Sequence, residues 1–115
     1  AIDFVESQAK SQTPFFLQVS HYAVHSDIMM REETLEKYKD KEKGVYQKHP
    51  GFAAMTEDLD SGVGLLLDRV KELGLESNTY IIYTSDNGAV PVMPPKRFYK
   101  QGSNFPLSRG KWDCY

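Results

Sequence analysis

The chain has 115 residues, 40% of them hydrophobic and 26% charged, with a net charge of −2 at neutral pH. That length allows one small domain, and that balance belongs to a globular chain rather than a disordered one. The near-neutral charge gives no electrostatic basis for binding nucleic acid or an anionic membrane, and no apolar run approaches the roughly 20 residues that cross a bilayer.

The opening "AIDFVESQAK" places Ile2, Val5 and Ala9 on one helical stripe, which predicts a helix. No capping residue precedes it, so the helix is read as already under way at Ala1. Pro14 opens "PFFLQVSHYAVH", in which Phe15, Phe16, Leu17 and Val19 form a nearly continuous apolar run. Such a run suits a strand buried on both faces, as in a parallel sheet. "REETLEKYKDKEKG", Arg31 to Gly44, predicts a solvated helix with Glu33 and Lys37 one turn apart and charges that need no partner.

The strongest periodicity lies in "GFAAMTEDLDSGVGLLLDRVKELGL", where Phe52, Met55, Leu59, Val63, Leu66, Val70 and Leu73 recur at steps of three or four. This predicts an amphipathic helix with Pro50 in its first turn and Gly74 at its C-terminal cap. Gly62 and Gly64 each cost that helix about 1 kcal/mol relative to Ala, and close packing against a neighbour is the expected reason. After Ser77 and Asn78, "TYIIYTS" predicts a second buried strand.

Strand, long crossover and strand define a βαβ unit with parallel strands, and an α/β fold class. From Gly88 to Gly110 periodicity is lost, and Pro91, Pro94, Pro95, Gly102 and Pro106 gather. A loop of that length in a compact domain predicts a functional loop.

In open α/β sheets ligands bind beyond the carboxyl ends of the strands. Ser20, His21 and His25 follow the first run, and Ser85, Asp86 and Asn87 follow the second. Parallel strands would open both sets on one edge. Asp86 offers a hard anionic oxygen and Asn87 a neutral carbonyl oxygen, which suit calcium or magnesium better than zinc. Two such ligands leave most of a shell of about six or more oxygens to other residues. Asp86-Asn87-Gly88 is equally ordinary turn chemistry, with Gly88 supplying positive φ.

His25 reads either as a structural histidine or as a proton donor near neutral pH. His21 reads equally as buried and satisfied, and His49 as a loop residue. Lys111, between Gly110 and Trp112, is either a surface lysine or a point charge for an anionic ligand. Arg109 and the pair Lys96/Arg97 read as surface cations. The single cysteine, Cys114, excludes an internal disulfide and a cysteine-based zinc site.

Taken in order, "PFFLQVSHYAVH", "LDSGVGLLLDRVKELGLESNTYIIYTSDNG" and "PLSRGKWDCY" resemble the type I sulfatase family, the arylsulfatase-like branch of the alkaline phosphatase superfamily. The resemblance covers nearly the whole chain. It implies a partial alkaline phosphatase/sulfatase-like sheet with a long active-site loop, and hydrolysis of sulfate esters. It implies that Asp86 and Asn87 bind a divalent cation, Ca2+ in most members. It implies that His25 hydrogen-bonds the sulfate ester near its leaving oxygen, and that Lys111 contacts the sulfate and helps protonate the leaving group. Cleavage of a sulfate ester builds negative charge on the departing oxygen, which a cation and a lysine stabilise and a histidine can protonate.

Two stretches depart from the family pattern. Ser26-Asp27 follow His25 where a Thr-Pro or similar pair is usual, and Trp112-Asp113-Cys114 follow Lys111 where Gly-Thr-Leu is often found. These bear on substrate preference more than on class. The family's formylglycine nucleophile comes from a Cys/Ser-x-Pro-x-Arg motif that this sequence lacks, and Cys114, followed by Tyr115, does not fit it. The family's paired N-terminal aspartates, and the histidine and lysine after the formylglycine, also have no counterpart. Residues 1–115 are therefore expected to be one incomplete domain, the central part of a sulfatase catalytic domain, inactive alone. The family implies a periplasmic, secreted or lysosomal setting.

Two alternatives stay open. One is a phosphate or phosphonate ester hydrolase of the same superfamily. Against it, Asn87 stands where two-metal relatives carry a histidine, and an amide oxygen is a poor zinc ligand. The other is a non-catalytic oligomerising α/β module. Two parallel strands cannot cover both of their faces, so further partners or a homo-oligomer would be needed to shield the sheet edges.

Overall fold

A computed structural model of the chain describes residues 1–46, 48–89, 104, 106–108 and 110–112. Its elements are α1 (Ile2–Ser11), α2 (Glu32–Lys39) and α3 (Pro50–Glu72), with a 3-10 turn at Glu76–Asn78. The long helix α3 is the frame against which the two shorter helices pack.

Local chemistry sets both ends of α3. Pro50 stands in the first turn, where its missing N–H would have had no intrahelical partner. His49 caps that turn, its Nδ1 accepting the Phe52 N–H at 3.0 Å. This bond needs neutral imidazole at Nδ1, and burial holds the His49 pKa below its usual 6.5. At the other end Gly74 takes φ 68°, and the N–H groups of Gly74 and Leu75 return to Lys71 O at 2.9 Å and Val70 O at 3.1 Å. That left-handed bend closes the last turn and suits glycine.

Between those ends Ala54, Met55 and Val70 are buried, and Val5 of α1 joins them. Glu6 of α1 meets Arg69 of α3 at 2.7 Å, so a polar pair borders the apolar contact. Gln12 ends α1 in the left-handed region at φ 53°, its N–H bonding to Ala9 O at 3.2 Å. The chain then turns Phe15 edge-on against Phe4, ring centres 5.7 Å apart.

The strongest polar contact joins α2 to α3. Asp58 accepts the Arg31 backbone N–H and the Arg31 Nε, each at 2.8 Å, and the Thr34 hydroxyl at 2.7 Å. The backbone N–H, then the hydroxyl, then the guanidinium stabilise the carboxylate, pulling the Asp58 pKa from 3.8 to about 2. Thr34 is the one polar residue buried among those described. Next to it, Glu57 accepts from Lys37 and, at 2.7 Å, from the Tyr38 hydroxyl. The charges of α2 therefore do have partners, contrary to the expectation of a freely solvated helix. Glu33 pairs with Arg31 at 2.9 Å rather than with Lys37, because Lys37 reaches across to α3.

The βαβ unit with parallel strands is not formed: no strand occurs among the described residues. Both apolar runs are present without a ladder. Phe16 is 86% exposed, and Tyr80 and Ile82 are 99% and 85% exposed. The reason lies in what a doubly buried strand requires, namely hydrogen-bonding neighbours in the sheet and helices over both faces. A two-member sheet supplies neither, so the runs keep their β-prone composition without strand geometry.

The helix glycines also differ from expectation. A Cβ built on Gly62 or Gly64 meets nothing within 4 Å, so no close neighbour explains them. Gly62→Ala is accordingly expected to stabilise the chain by about 1 kcal/mol, read as a raised midpoint in urea unfolding.

The His49 cap carries a pH signature. Its folded pKa lies below 6.5, so its contribution is complete above that pH and is lost as pH falls through the depressed value. His49→Ala is expected to cost about 1 kcal/mol near pH 7.5, and His49→Asn to keep the cap and flatten the acid loss. Thermal unfolding followed by circular dichroism between pH 4 and pH 8, in about half-unit steps, checks both.

Candidate active site

The loop after the first apolar run positions His25. A turn closes where the His25 backbone N–H donates to Tyr22 O at 2.9 Å. The Tyr22 ring lies 5.6 Å from the imidazole, and the Tyr22 hydroxyl donates to Ser26 O. His25 Nδ1 also bonds to Ser26 O, at 2.8 Å. A carbonyl oxygen only accepts, so this bond assigns the proton to Nδ1 and leaves the lone pair on Nε2. That lone pair faces the Lys111 ammonium, with Nε2 to Nζ 3.2 Å. His25 and Lys111 are 86 positions apart in sequence, and the structure brings their side chains into direct contact.

Asp86 and Asn87 lie in a bend after the second apolar run. Ser85 Oγ donates to Asn87 O at 2.8 Å, which pins the bend from its own side. The Asp86 and Asn87 side chains are exposed and bond to none of the described residues. Gly88 does not take the expected positive φ. Its role is close approach, since a Cβ there would stand 3.0 Å from Asn104 Nδ2 and 3.2 Å from Gly110 Cα.

These two halves meet through Ala89. Its carbonyl accepts the Lys111 backbone N–H at 3.1 Å, and its N–H donates to Asn104 Oδ1 at 3.0 Å. The backbone of the Asp86–Ala89 segment is thereby tied to the residues that carry Lys111. Asn104 was not singled out by sequence reasoning. Its only signal is a turn-prone asparagine two positions before Pro106, which does not by itself mark a site.

The remaining candidates fall elsewhere. His21 is exposed rather than buried, and His49 is the cap of α3 rather than a plain loop residue. Arg109, Lys96, Arg97 and Cys114 lie outside the described residues, as does most of the Gly88–Gly110 loop.

The donor chemistry of Asp86 and Asn87 fits a hard cation, with both side chains free to turn toward it. The number of donors does not fill a shell. Among the described residues no three His, Cys, Asp or Glu side chains gather where one metal ion could bind. A cation held by this pair would draw its other oxygens from elsewhere. What the arrangement does offer is an ammonium and an imidazole lone pair in contact, beside a segment bearing one carboxylate and one amide. That combination suits an anionic ester whose leaving oxygen needs charge stabilisation and a proton.

Comparison with known proteins gives the same class. The Sulfatase family model matches residues 1–113. N-acetylgalactosamine-6-sulfatase of Rattus norvegicus is 32% identical over 111 residues, covering 96% of this chain and 19% of the relative. A protein named sulfatase from Formosa agariphila is 32% identical over 97 residues, covering 76% of this chain and 17% of the relative. Steryl-sulfatase of Homo sapiens is 30% identical over 105 residues, covering 90% of this chain and 16% of the relative. No solved structure gives a significant match. The chain belongs to the sulfatase family, a family of sulfate-ester hydrolases. It spans about a fifth of the length of the curated relatives it matches, 19% of the first of them.

Proposed function

We propose that this chain is the central part of a sulfatase catalytic domain and supplies the leaving-group side of its active site. Asp86 and Asn87 would contribute two oxygen ligands to a divalent cation, hard donors that suit calcium or magnesium, with Ca2+ the ion the family resemblance implies. Lys111 binds the ester beside its leaving oxygen, and His25 holds the Lys111 ammonium in place there. The observation that most supports this reading is the 3.2 Å contact between Lys111 Nζ and His25 Nε2.

The chemistry divides between those residues. A bound cation would supply positive charge to the sulfate oxygens. Lys111 presents N–H donors to the same anion and, as the S–O bond breaks, gives a proton to the oxygen that takes the bonding electron pair. His25 accepts from Lys111 at Nε2 and so aims the ammonium. The Ser26 carbonyl holds the imidazole in the tautomer this requires. The nucleophile, a formylglycine in the family, is not encoded by residues 1–115, so this chain completes a site rather than forming one.

Two measurements test the reading. The 115-residue chain is expected to hydrolyse an aryl sulfate no faster than its own Lys111→Ala variant. In the full product of the coding sequence, Lys111→Ala or His25→Ala is expected to lower kcat by about 10²- to 10⁴-fold. Unchanged kcat in both variants would overturn the assignment.

The cation half is tested separately. Calcium titration of the 115-residue chain by calorimetry is expected to give a dissociation constant of about 10⁻³ M or weaker, with the signal removed by Asp86→Ala. Binding that persists at full strength in Asp86→Ala excludes this pair as its source.

A further inference from the structure

We infer that Asn104 is a positioning residue whose carboxamide latches the Asp86–Ala89 segment to the Gly110–Lys111 segment and so sets Lys111 against His25. The catalytic meaning of the latch rests on the function proposed above, whereas the latch itself rests on geometry alone.

An amide side chain carries an acceptor and a donor side by side, which matches the N–H and C=O of a single peptide residue. Asn104 is used in that way. Its Oδ1 accepts the Ala89 N–H at 3.0 Å, and its Nδ2 lies 3.5 Å from Ala89 O. The Ala89 N–H can only donate, so it assigns Oδ1 to that side of the amide. The second lone pair of Ala89 O receives the Lys111 N–H at 3.1 Å. One residue of the metal-pair segment thus serves both Asn104 and the backbone of Lys111.

The glycines on either side show how close the junction is. A Cβ at Gly110 would lie 2.5 Å from Ala89 O and 2.7 Å from Asn104 Nδ2. The corresponding atom at Gly88 would lie 3.0 Å from the same Nδ2. Any side chain at Gly110 would push the two segments apart. The Lys111 side chain is long and flexible, so its contact with His25 depends on where its backbone is held. Ala89 holds that backbone through its carbonyl, Asn104 holds Ala89, and the imidazole bonds to neither.

The test uses nuclear Overhauser contacts between the Lys111 side chain and the His25 ring in the 115-residue chain. Asn104→Ala and Gly110→Ala are each expected to lose the contact while the Val5 and Val70 methyl signals of the helical body stay in place. Asn104→Asp, which keeps the acceptor for the Ala89 N–H but loses the donor, is expected to retain a weakened contact. A contact of wild-type strength in Asn104→Ala overturns the proposal, as does its absence from the wild-type chain. Loss of the Val5 and Val70 signals together with the contact in both variants also overturns it, because Asn104 would then support the whole fold. The functional reading fails in a different way. Unchanged kcat in Lys111→Ala, with the contact intact in the unsubstituted chain, would remove the catalytic role and leave the latch standing.

Discussion

The helical body depends on one carboxylate. Asp58 draws together the backbone and guanidinium of Arg31 and the hydroxyl of Thr34, which ties the start of α2 to the middle of α3. Few of the described residues are fully buried, so apolar packing alone leaves α2 weakly specified. A carboxylate that accepts a backbone N–H, a hydroxyl and a guanidinium fixes direction as well as proximity, because each donor approaches its own lone pair. Its depressed pKa is the electrostatic record of that arrangement. Glu57 repeats the pattern one residue earlier with Lys37 and Tyr38, so consecutive acidic residues of α3 hold both halves of α2.

The candidate site is built differently. None of His25, Asp86, Asn87, Asn104 or Lys111 lies on a helix. His25 is oriented by the Ser26 carbonyl, and Lys111 is anchored through its own N–H to Ala89. Reactive side chains on loops are positioned by whatever fixes the loop ends, which makes peptide-level contacts such as Ala89–Asn104 as consequential as the reactive groups. The two segments approach closely because Gly88 and Gly110 carry no Cβ. The side chains of Asp86 and Asn87, in contrast, are exposed and bond to no described residue.

Sequence patterns were most legible where the determining contacts are local. Ile2, Val5 and Ala9 marked α1, and the stripe from Phe52 to Leu73 marked α3 with Pro50 and Gly74 at its ends. The same patterns misread the β-prone runs. Phe15–Val19 and Tyr80–Thr84 have strand composition, yet a strand exists only with a neighbour, and composition does not state whether one is present. Gly62 and Gly64 were misread for a related reason, since a glycine in a helix reports low propensity without reporting what faces it.

By itself the sequence determined the three helices, the two ends of α3 and the membership of the sulfatase family, because periodicity, capping and ordered motifs are properties of neighbouring residues, whereas α2 stops at Lys39, short of the Gly44 its charge pattern suggested. It also named His25, Lys111, Asp86 and Asn87 as candidates without relating them in space. Only the tertiary structure decided that Lys111 meets His25, that Asn104 and Ala89 join the two loop segments, and that Lys37 of α2 pairs with Glu57 of α3. These contacts join residues from 15 to 86 positions apart, and their existence depends on the path of the whole chain between them. No local pattern encodes that path, because the bonds form only after the helices have packed and the loops have been brought together.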